Sequence, residues 1–476
     1  MIVSRIFPIV LGMLQEHRGF FLGITLSGLA LRLFFLIYFP AVSDDSHVYL
    51  DLANNWQQHG VYGLTEDGSV VPADTRLPGY PAFLAALSWI FGAGKIRTIL
   101  LIQIVIDLAA CFLIADLARR TISPRAGRVA FLLASFCPFL ASYAAAVLTE
   151  TLELFFTVLA FECAVIALDR TANRALNHVW LWWAGTGASV AACILLRPDG
   201  GILLPVIGLA MLFILWREGA RRESAVSILT GGCLVAIIAL APLAPWTARN
   251  WKTLHQFQPL APRYATEPEE VTPRGFNRWV ATWMADYVSV EEIYWNMPGG
   301  NIDAGKLPRR ALDTTRDATL ALIADYNAAP QLTAQLDWRF DQIAWERIRA
   351  HPFRYYVLLP VMRVTDMWLR PRTELLPADP RWWEFNDAVM GSVASVGFGI
   401  INLFYVAAAI GGALWQRGGI RHFWLLAGFV VLRTAFLLTI ENPEPRYTLE
   451  CYPMVIVLAA ALLAGCRTGN ARNSVS

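Results

Sequence analysis

Two carboxylates stand side by side at Asp44-Asp45, in a run Ser43-Asp44-Asp45-Ser46-His47-Val48-Tyr49 that directly follows an apolar stretch ending Phe39-Pro40. Adjacent acids at such a boundary can take a proton from a hydroxyl, hold a divalent cation or orient a sugar hydroxyl. They can equally be the charged first turn of a helix, because Ser or Asp before Val48-Tyr49-Leu50-Asp51-Leu52-Ala53 makes a good N-cap. Five more short clusters mix acids, arginines and aromatics: Arg76-Leu77-Pro78-Gly79-Tyr80-Pro81, Leu148-Thr149-Glu150-Thr151, Arg197-Pro198-Asp199, Pro245-Trp246-Thr247-Ala248-Arg249-Asn250, and Glu441-Asn442-Pro443-Glu444-Pro445-Arg446-Tyr447. Arginine presents a planar fork that binds phosphate in a bidentate manner, so these clusters together offer both a base and an anion handle.

The elements between them are apolar. Hydrophobic residues make up 56% of the 476-residue chain and charged ones only 16%, against roughly a quarter charged in ordinary soluble domains. A spanning helix needs about 20 apolar residues. Runs of suitable length fall near 19–39, 97–117, 127–148, 151–168, 179–196, 200–216, 225–245, 388–414, 422–440 and 450–466. This predicts an all-α polytopic membrane protein of about ten transmembrane helices. Arginines gather in alternate loops, at Arg5/Arg18, Arg119/Arg120/Arg125/Arg128, Arg170/Arg174, Arg217/Arg221/Arg222, Arg417/Arg421 and Arg467/Arg472. With ten spans every one of these groups falls on one side, which places both termini in the cytoplasm. The lead-in Met1–Leu14 is too short to span and is expected to be cytoplasmic or interfacial.

Three regions follow. Residues 1–245 form an N-terminal transmembrane bundle that includes the first outer loop, 40–96. Residues 246–387 form an outer insert, and 388–476 the C-terminal transmembrane helices. Two apolar stretches are read as lying in the interface: 81–93, which is too short to span, and 353–369, where Arg363, Asp366 and Arg370 mark one polar helical face. The seven cysteines lie in or beside apolar runs, so neither a disulfide framework nor a zinc site is expected. Charges inside spans, Arg32, Asp107, Asp116, Glu153, Glu162 and Arg433, are read as interhelical pairs, with Arg32 and Asp116 close enough to span ends to snorkel.

On this topology all six polar clusters meet one membrane face. Their order resembles that of the GT-C fold glycosyltransferases of the family 39/83 type, which include the protein O-mannosyltransferases and the lipid A aminoarabinose transferase. The resemblance rests on Asp45 four residues before Tyr49, the Arg76 to Pro81 run, Thr149-Glu150, Pro245-Trp246 with Arg249-Asn250, and Arg446-Tyr447. It spans residues 30 to 453, through short motifs. Ser46 stands where many members have Glu, and Asp44 is an additional acid. Arg76-Leu77-Pro78 replaces the Lys-Pro-Pro common in aminoarabinose transferases, so that specificity is not carried over.

The resemblance implies transfer of a hexose or pentose from a polyprenyl-phosphate donor to a hydroxyl on a lipid, glycan or protein, with inversion, at the outer face. The use of arginine with only three lysines, Lys95, Lys252 and Lys306, points to a GC-rich bacterium and hence to the inner membrane with a periplasmic active face. Asp45 would be the base, with Asp44 and Glu150 beside it. Arg446, Arg76 and Arg249 would bind the donor phosphate, while Tyr49, Tyr80, Arg197 and Tyr447 would line the cleft. No cofactor is required by any motif; a divalent cation at the acids stays open, and no nucleic-acid partner is expected. The competing reading is a transporter or flippase of a lipid-linked saccharide, which favours broken helices in matched halves and midplane sites. Here the polar features collect at one face.

Overall fold

The computed structural model describes residues 17–217, 222–264, 266, 270–386 and 389–465; the lead-in Met1–Leu14 and the arginines at 467 and 472 lie outside them. Among the described residues, eight helical segments are long and apolar enough to cross a membrane: Arg18–Tyr38, Ile96–Thr121, Glu150–Ala172, Val179–Leu196, Pro198–Trp216, Ala225–Leu254, Val389–Trp415 and Pro445–Ala464. The third expected span is a pair, Pro124–Ser135 and Pro138–Ala144, bent by 53°. Pro138 lacks the N–H that a continuous helix would use, which accounts for the break. The ninth expected span is a 15-residue helix, Phe423–Leu437. Each of the ten apolar runs is thus helical over most of its described length. The run expected to end at 245 continues as helix through Leu254, so Trp246 and Arg249 sit on a helix and not in a loop.

The chain divides into two compact units. One comprises the described residues up to Pro262 with Phe404–Leu432 and Glu450 onward; the other comprises Arg263–Leu403 and Arg433–Leu449.

In the first unit the intramembrane charges pair. Arg32 is fully buried; its Nε donates to Asp107 at 2.5 Å, and Nη1 donates to the carbonyls of Gly28 and Ser135 at 2.9 and 2.6 Å. Asp116 is also buried, and accepts from Arg119 and Arg120 at 2.6 and 2.8 Å. Neither residue snorkels, contrary to the expectation above. A charge in an apolar bundle is retained by a partner within reach, and Asp107 and Arg120 supply one to each.

The first loop is ordered. Helix Asp44–His59 begins with a capping box between Ser43 and Ser46. A two-stranded hairpin follows, Gly63–Glu66 against Ser69–Pro72. Asp67 and Gly68 turn it with φ of 46° and 80°, the left-handed pair that an Asp-Gly turn favours. The helix Gly79–Phe91 comes next.

The second unit has its own core around Phe276, Trp279, Trp283, Tyr326 and Phe340. Its segment 354–369 is a π-turn, Arg354–Leu358, continuing as helix Leu359–Leu369. Arg363 and Arg370 are buried, while Phe353, Tyr356, Val357, Val361 and Met362 are exposed. The polar face turns into the unit and the apolar face outward, which suits contact with lipid. Asp366 accepts the backbone N–H of Tyr287 at 2.9 Å. Burial pushes its carboxyl up to about 6, against the opposing pull of Arg370 and that N–H.

Two outcomes follow. Asp107→Ala leaves the Arg32 guanidinium buried without its carboxylate and lowers stability by about 3–5 kcal/mol, whereas Arg32→Met with Asp107→Leu recovers most of the loss. Thermal unfolding of purified protein reads both, and an unchanged midpoint for Asp107→Ala contradicts the account. For Asp366 the raised folded-state value favours the protonated form, so stability falls as pH rises from about 4 through the folded value. Asp366→Asn therefore melts higher than wild type above pH ~7 and equal to it near pH ~4; the reverse order contradicts the assignment.

Candidate functional site

Three backbone contacts bring separate clusters of the first unit together. Ala41 pairs in parallel with Ala146: its N–H donates to Ala145 at 3.0 Å, and its carbonyl accepts from Val147 at 3.1 Å. This sets the start of the first loop beside the segment leading to Glu150. Gln103 donates to the carbonyl of Ala146 at 2.7 Å and accepts the Tyr80 hydroxyl at 2.7 Å, which ties the Arg76 to Pro81 run to the same place. Gly79 completes the approach. A Cβ there would fall 2.5 Å from the carbonyl oxygen of Leu195, so only glycine lets this helix lie against the backbone that leads into Arg197.

Asp45, Arg76, Tyr49, Tyr80, Glu150 and Arg197 are thereby gathered. Asp45 Oδ1 accepts from Arg76 Nη2 at 2.7 Å, both side chains being about a quarter exposed. Arg76 lies over the ring of Tyr49, 5.8 Å from its centroid, and Tyr49 meets Tyr80 edge-on at 5.0 Å. Burial pushes the Tyr49 phenol up to about 12; Arg76 and Arg197 oppose the shift, while Asp45 and Glu150 add to it. Tyr80 is raised well above its ordinary value by burial, with Tyr49 and Glu150 adding to the effect. The two phenols are thus neutral hydrogen-bonding walls, and the charge in the site belongs to Asp45, Arg76, Glu150 and Arg197. Asp44 is exposed on the first turn of its helix, which separates the roles of the two adjacent acids: Asp45 meets the site's arginine and Asp44 faces outward.

Behind this pair is a denser cluster. Arg197 lies 3.4 Å from Glu150, 3.6 Å from Glu153, 3.4 Å from Asp199 and 3.7 Å from Glu450. Burial works against its charge, but the four carboxylates hold it well above the usual arginine value. Oxygens of Glu153, Asp199 and Glu450 come within 4.8 Å of one another, a spacing that a divalent cation could bridge. The guanidinium already among them supplies part of that neutralisation. Glu450 escaped the sequence reading altogether. Glu153, expected from the sequence to be an interhelical charge, joins this cluster, and its place three residues after Glu150 puts both on one helical face.

Arg249 is committed elsewhere. Its Nη1 donates to Ala73 and Asn250 at 2.8 and 2.9 Å and its Nη2 to the carbonyl of Tyr62. The rings of Tyr62 and Trp246 each lie 5.4 Å from it. The Tyr62 hydroxyl in turn donates to the carbonyl of Arg76 at 2.9 Å. Arg249 therefore staples the first loop, and through Tyr62 it fixes the backbone that carries Arg76.

Arg446 and Tyr447 belong to the second unit, on a tight turn Pro445–Cys451. Arg446 Nε lies 2.6 Å from Glu444, and its guanidinium sits 5.6 Å from the Tyr447 ring centroid. The Tyr447 hydroxyl donates to the other oxygen of Glu444 at 2.7 Å. The turn thus presents a cation, an acid and a phenol as one constellation.

Comparison with known proteins agrees with this architecture. Residues 73–246 match the family model described as dolichyl-phosphate-mannose-protein mannosyltransferase. No curated protein matches the chain by sequence. Among solved structures, the archaeal oligosaccharyltransferase AglB from Archaeoglobus fulgidus, in complex with an inhibitory peptide and a dolichol-phosphate, superposes with a TM-score of 0.51 at 13% identity, over 94% of this chain and 50% of its own. The Archaeoglobus fulgidus oligosaccharyltransferase in complex with Zn and sulfate gives a TM-score of 0.51 at 14% identity, over 93% and 49%. This chain therefore spans about half the length of those proteins. ArnT from Cupriavidus metallidurans bound to undecaprenyl phosphate covers 94% of this chain and 77% of its own at 14% identity, but its TM-score of 0.35 carries no argument. At such identities the likeness is one of fold. With its apolar helices, its ordered first loop and the family match over 73–246, the chain has the GT-C fold of the membrane glycosyltransferases.

Proposed function

We propose that this protein is a membrane glycosyltransferase that moves a sugar from a polyprenyl-phosphate donor to an acceptor hydroxyl, with inversion. The reading places the reaction at the periplasmic face of a bacterial inner membrane, with both termini in the cytoplasm. The observation that carries it is the partly exposed Asp45–Arg76 pair against the Tyr49/Tyr80 wall, with Glu150 and Arg197 behind it. An isolated surface acid would not need this support. A general base does, because it must meet the acceptor proton in one orientation. The family match over 73–246, and the dolichol-phosphate in the AglB complex, support a lipid-linked donor for this chain.

In this mechanism the acceptor oxygen attacks the anomeric carbon while the bond from that carbon to the phosphate oxygen breaks. The bonding pair leaves with the phosphate, and the hydroxyl proton passes to Asp45. Arg76 holds one Asp45 oxygen and thereby aims the carboxylate. Glu150, anchored by Arg197, orients the acceptor or donor. The departing phosphate gains charge, and Arg446 is its assigned cation with Arg76 second. Arg249 drops from the phosphate set to a staple of the loop. A cation bound by the acids would further neutralise the phosphate, with Glu153, Asp199 and Glu450 as the residues spaced to hold it.

Mass spectrometry of polyprenyl-phosphate sugars and envelope glycans tests the reading in wild-type, deletion, Asp45→Asn and Asp44→Asn cells. The expected result is that deletion and Asp45→Asn both accumulate one lipid-phosphate sugar and lose one glycan modification, a drop of about 100-fold or more for a lost base. Asp44→Asn stays near wild type. Near-normal transfer by Asp45→Asn at normal abundance removes the base assignment. If deletion alone then changes the glycans, transport of a lipid-linked saccharide becomes the better reading. Arg249→Ala is expected to lower the unfolding temperature by the equivalent of about 2 kcal/mol, and an unchanged melt would return it to the phosphate set.

A further inference from the structure

Two buried arginines of the second unit are directed at the backbone of the turn that carries Arg446. Arg372 is 3% exposed and Arg433 fully buried. Arg372 Nη1 donates to the carbonyl of Pro445 at 2.8 Å, and its Nη2 donates to the hydroxyl of Thr448. Arg433 reaches the carbonyl of Tyr447 through Nε and Nη2, at 3.3 and 3.4 Å. The Thr448 hydroxyl closes the turn by donating back to Pro445 at 3.0 Å. Arg372 is itself held in place: Asn402 Oδ1 lies 3.4 Å from its Nε, and Asn402 Nδ2 donates to the carbonyls of Trp368 and Arg370 at 2.7 and 3.1 Å.

The groups engaged belong to residues 445, 447 and 448, on both sides of Arg446. Satisfying two carbonyls of a short turn takes no more than a neutral amide or hydroxyl. A buried guanidinium is a costly substitute, because its desolvation must be offset by several good contacts. What Arg adds is a rigid fork that fixes the direction of two acceptors at once, and a positive charge directly beneath the turn. Together Arg372 and Arg433 hold the backbone on each side of Arg446, whose side chain already lies against Glu444 and the Tyr447 ring, so that little remains to be ordered when an anion arrives. Pre-ordering of this kind raises affinity by lowering the entropy lost on binding.

We propose that Arg372 and Arg433 are positioning residues that hold the Pro445–Cys451 turn so that Arg446 meets the phosphate of the lipid donor. The proposal rests on the reading of Arg446 as the phosphate-binding cation. Neither residue touches the ligand; each acts through the turn. Thr448 is part of the same device, since its hydroxyl accepts from Arg372 and donates to Pro445.

The test is a double-mutant cycle on the purified full chain in nanodiscs, reading the dissociation constant for undecaprenyl phosphate with uncharged undecaprenol as the control. Arg372→Gln is expected to weaken undecaprenyl phosphate about tenfold and to leave undecaprenol unchanged. In an Arg446→Ala background the same substitution should cost less than about twofold. Thr448→Val should repeat the pattern at smaller amplitude, and Arg372→Lys should fail to rescue it because the fork is lost. Equal losses with and without Arg446, or an equal loss for undecaprenol, overturn the proposal and make Arg372 a purely structural residue. Unchanged affinity in Arg446→Ala alone overturns the phosphate reading itself, a result distinct from the additive pattern. If Arg372→Gln does not fold, Thr448→Val decides alone: a loss that persists in the Arg446→Ala background counts against the proposal.

Discussion

The site depends on how one irregular stretch satisfies its backbone. Residues 145–147 leave the helix that ends at Ala144 and are buried; the N–H groups of Ala145 and Ala146 still turn back to Ser142 and Tyr143, but the carbonyl of Ala145 and the N–H of Val147 lie beyond the helix. In an apolar bundle such groups must find partners in the protein. Ala41 pairs with this stretch on one side and Gln103 bonds Ala146 on the other. Those two contacts decide that the first loop, the Tyr80 segment and Glu150 meet. The end of the third span at Ala144, one short helix beyond the bend at Pro138, is therefore the origin of the place where the polar residues collect.

Charge is distributed around that place in two ways. Deep in the first unit Arg32 pairs with Asp107, and Arg119 and Arg120 with Asp116 and Glu162, between or along helices. Around Arg197 the count is unequal, with Glu150, Glu153, Asp199 and Glu450 converging on one guanidinium. The deep pairs hold helices together, whereas the group around Arg197 is the acid-rich part of the proposed site.

Arginine also serves as a backbone clamp in this protein. Arg249 draws the carbonyls of Tyr62 and Ala73 together and packs between two aromatic rings. On the Pro445–Cys451 turn Arg372 joins the Pro445 carbonyl to the Thr448 hydroxyl, and Arg433 holds the Tyr447 carbonyl. The planar fork suits this use, since one side chain fixes two acceptors in direction as well as distance. An arginine in a loop motif can therefore address either a phosphate or the chain itself, and the neighbouring carbonyls decide which.

What was legible in the sequence was what depends on local composition. Apolar length marked the ten helical runs, including those that came out bent or short, and the residue spacing at Arg363, Asp366 and Arg370 marked an amphipathic helix. The Asp67-Gly68 turn signal was present but went unread. Period and composition could not say which way the amphipathic helix faces, because a polar stripe can meet either water or the interior of its own unit. They could not distinguish Asp45 from Asp44, since helix phase against Arg76 separates those two acids. They could not find Glu450, because its partner Arg197 lies more than two hundred residues away in sequence. The sequence by itself determined that the chain crosses a membrane and which loops carry acids and arginines, for hydropathy and spacing are local properties. Only the tertiary structure decided which of those groups meet, because buried backbone and buried charge must be satisfied by whatever the fold brings within hydrogen-bonding distance.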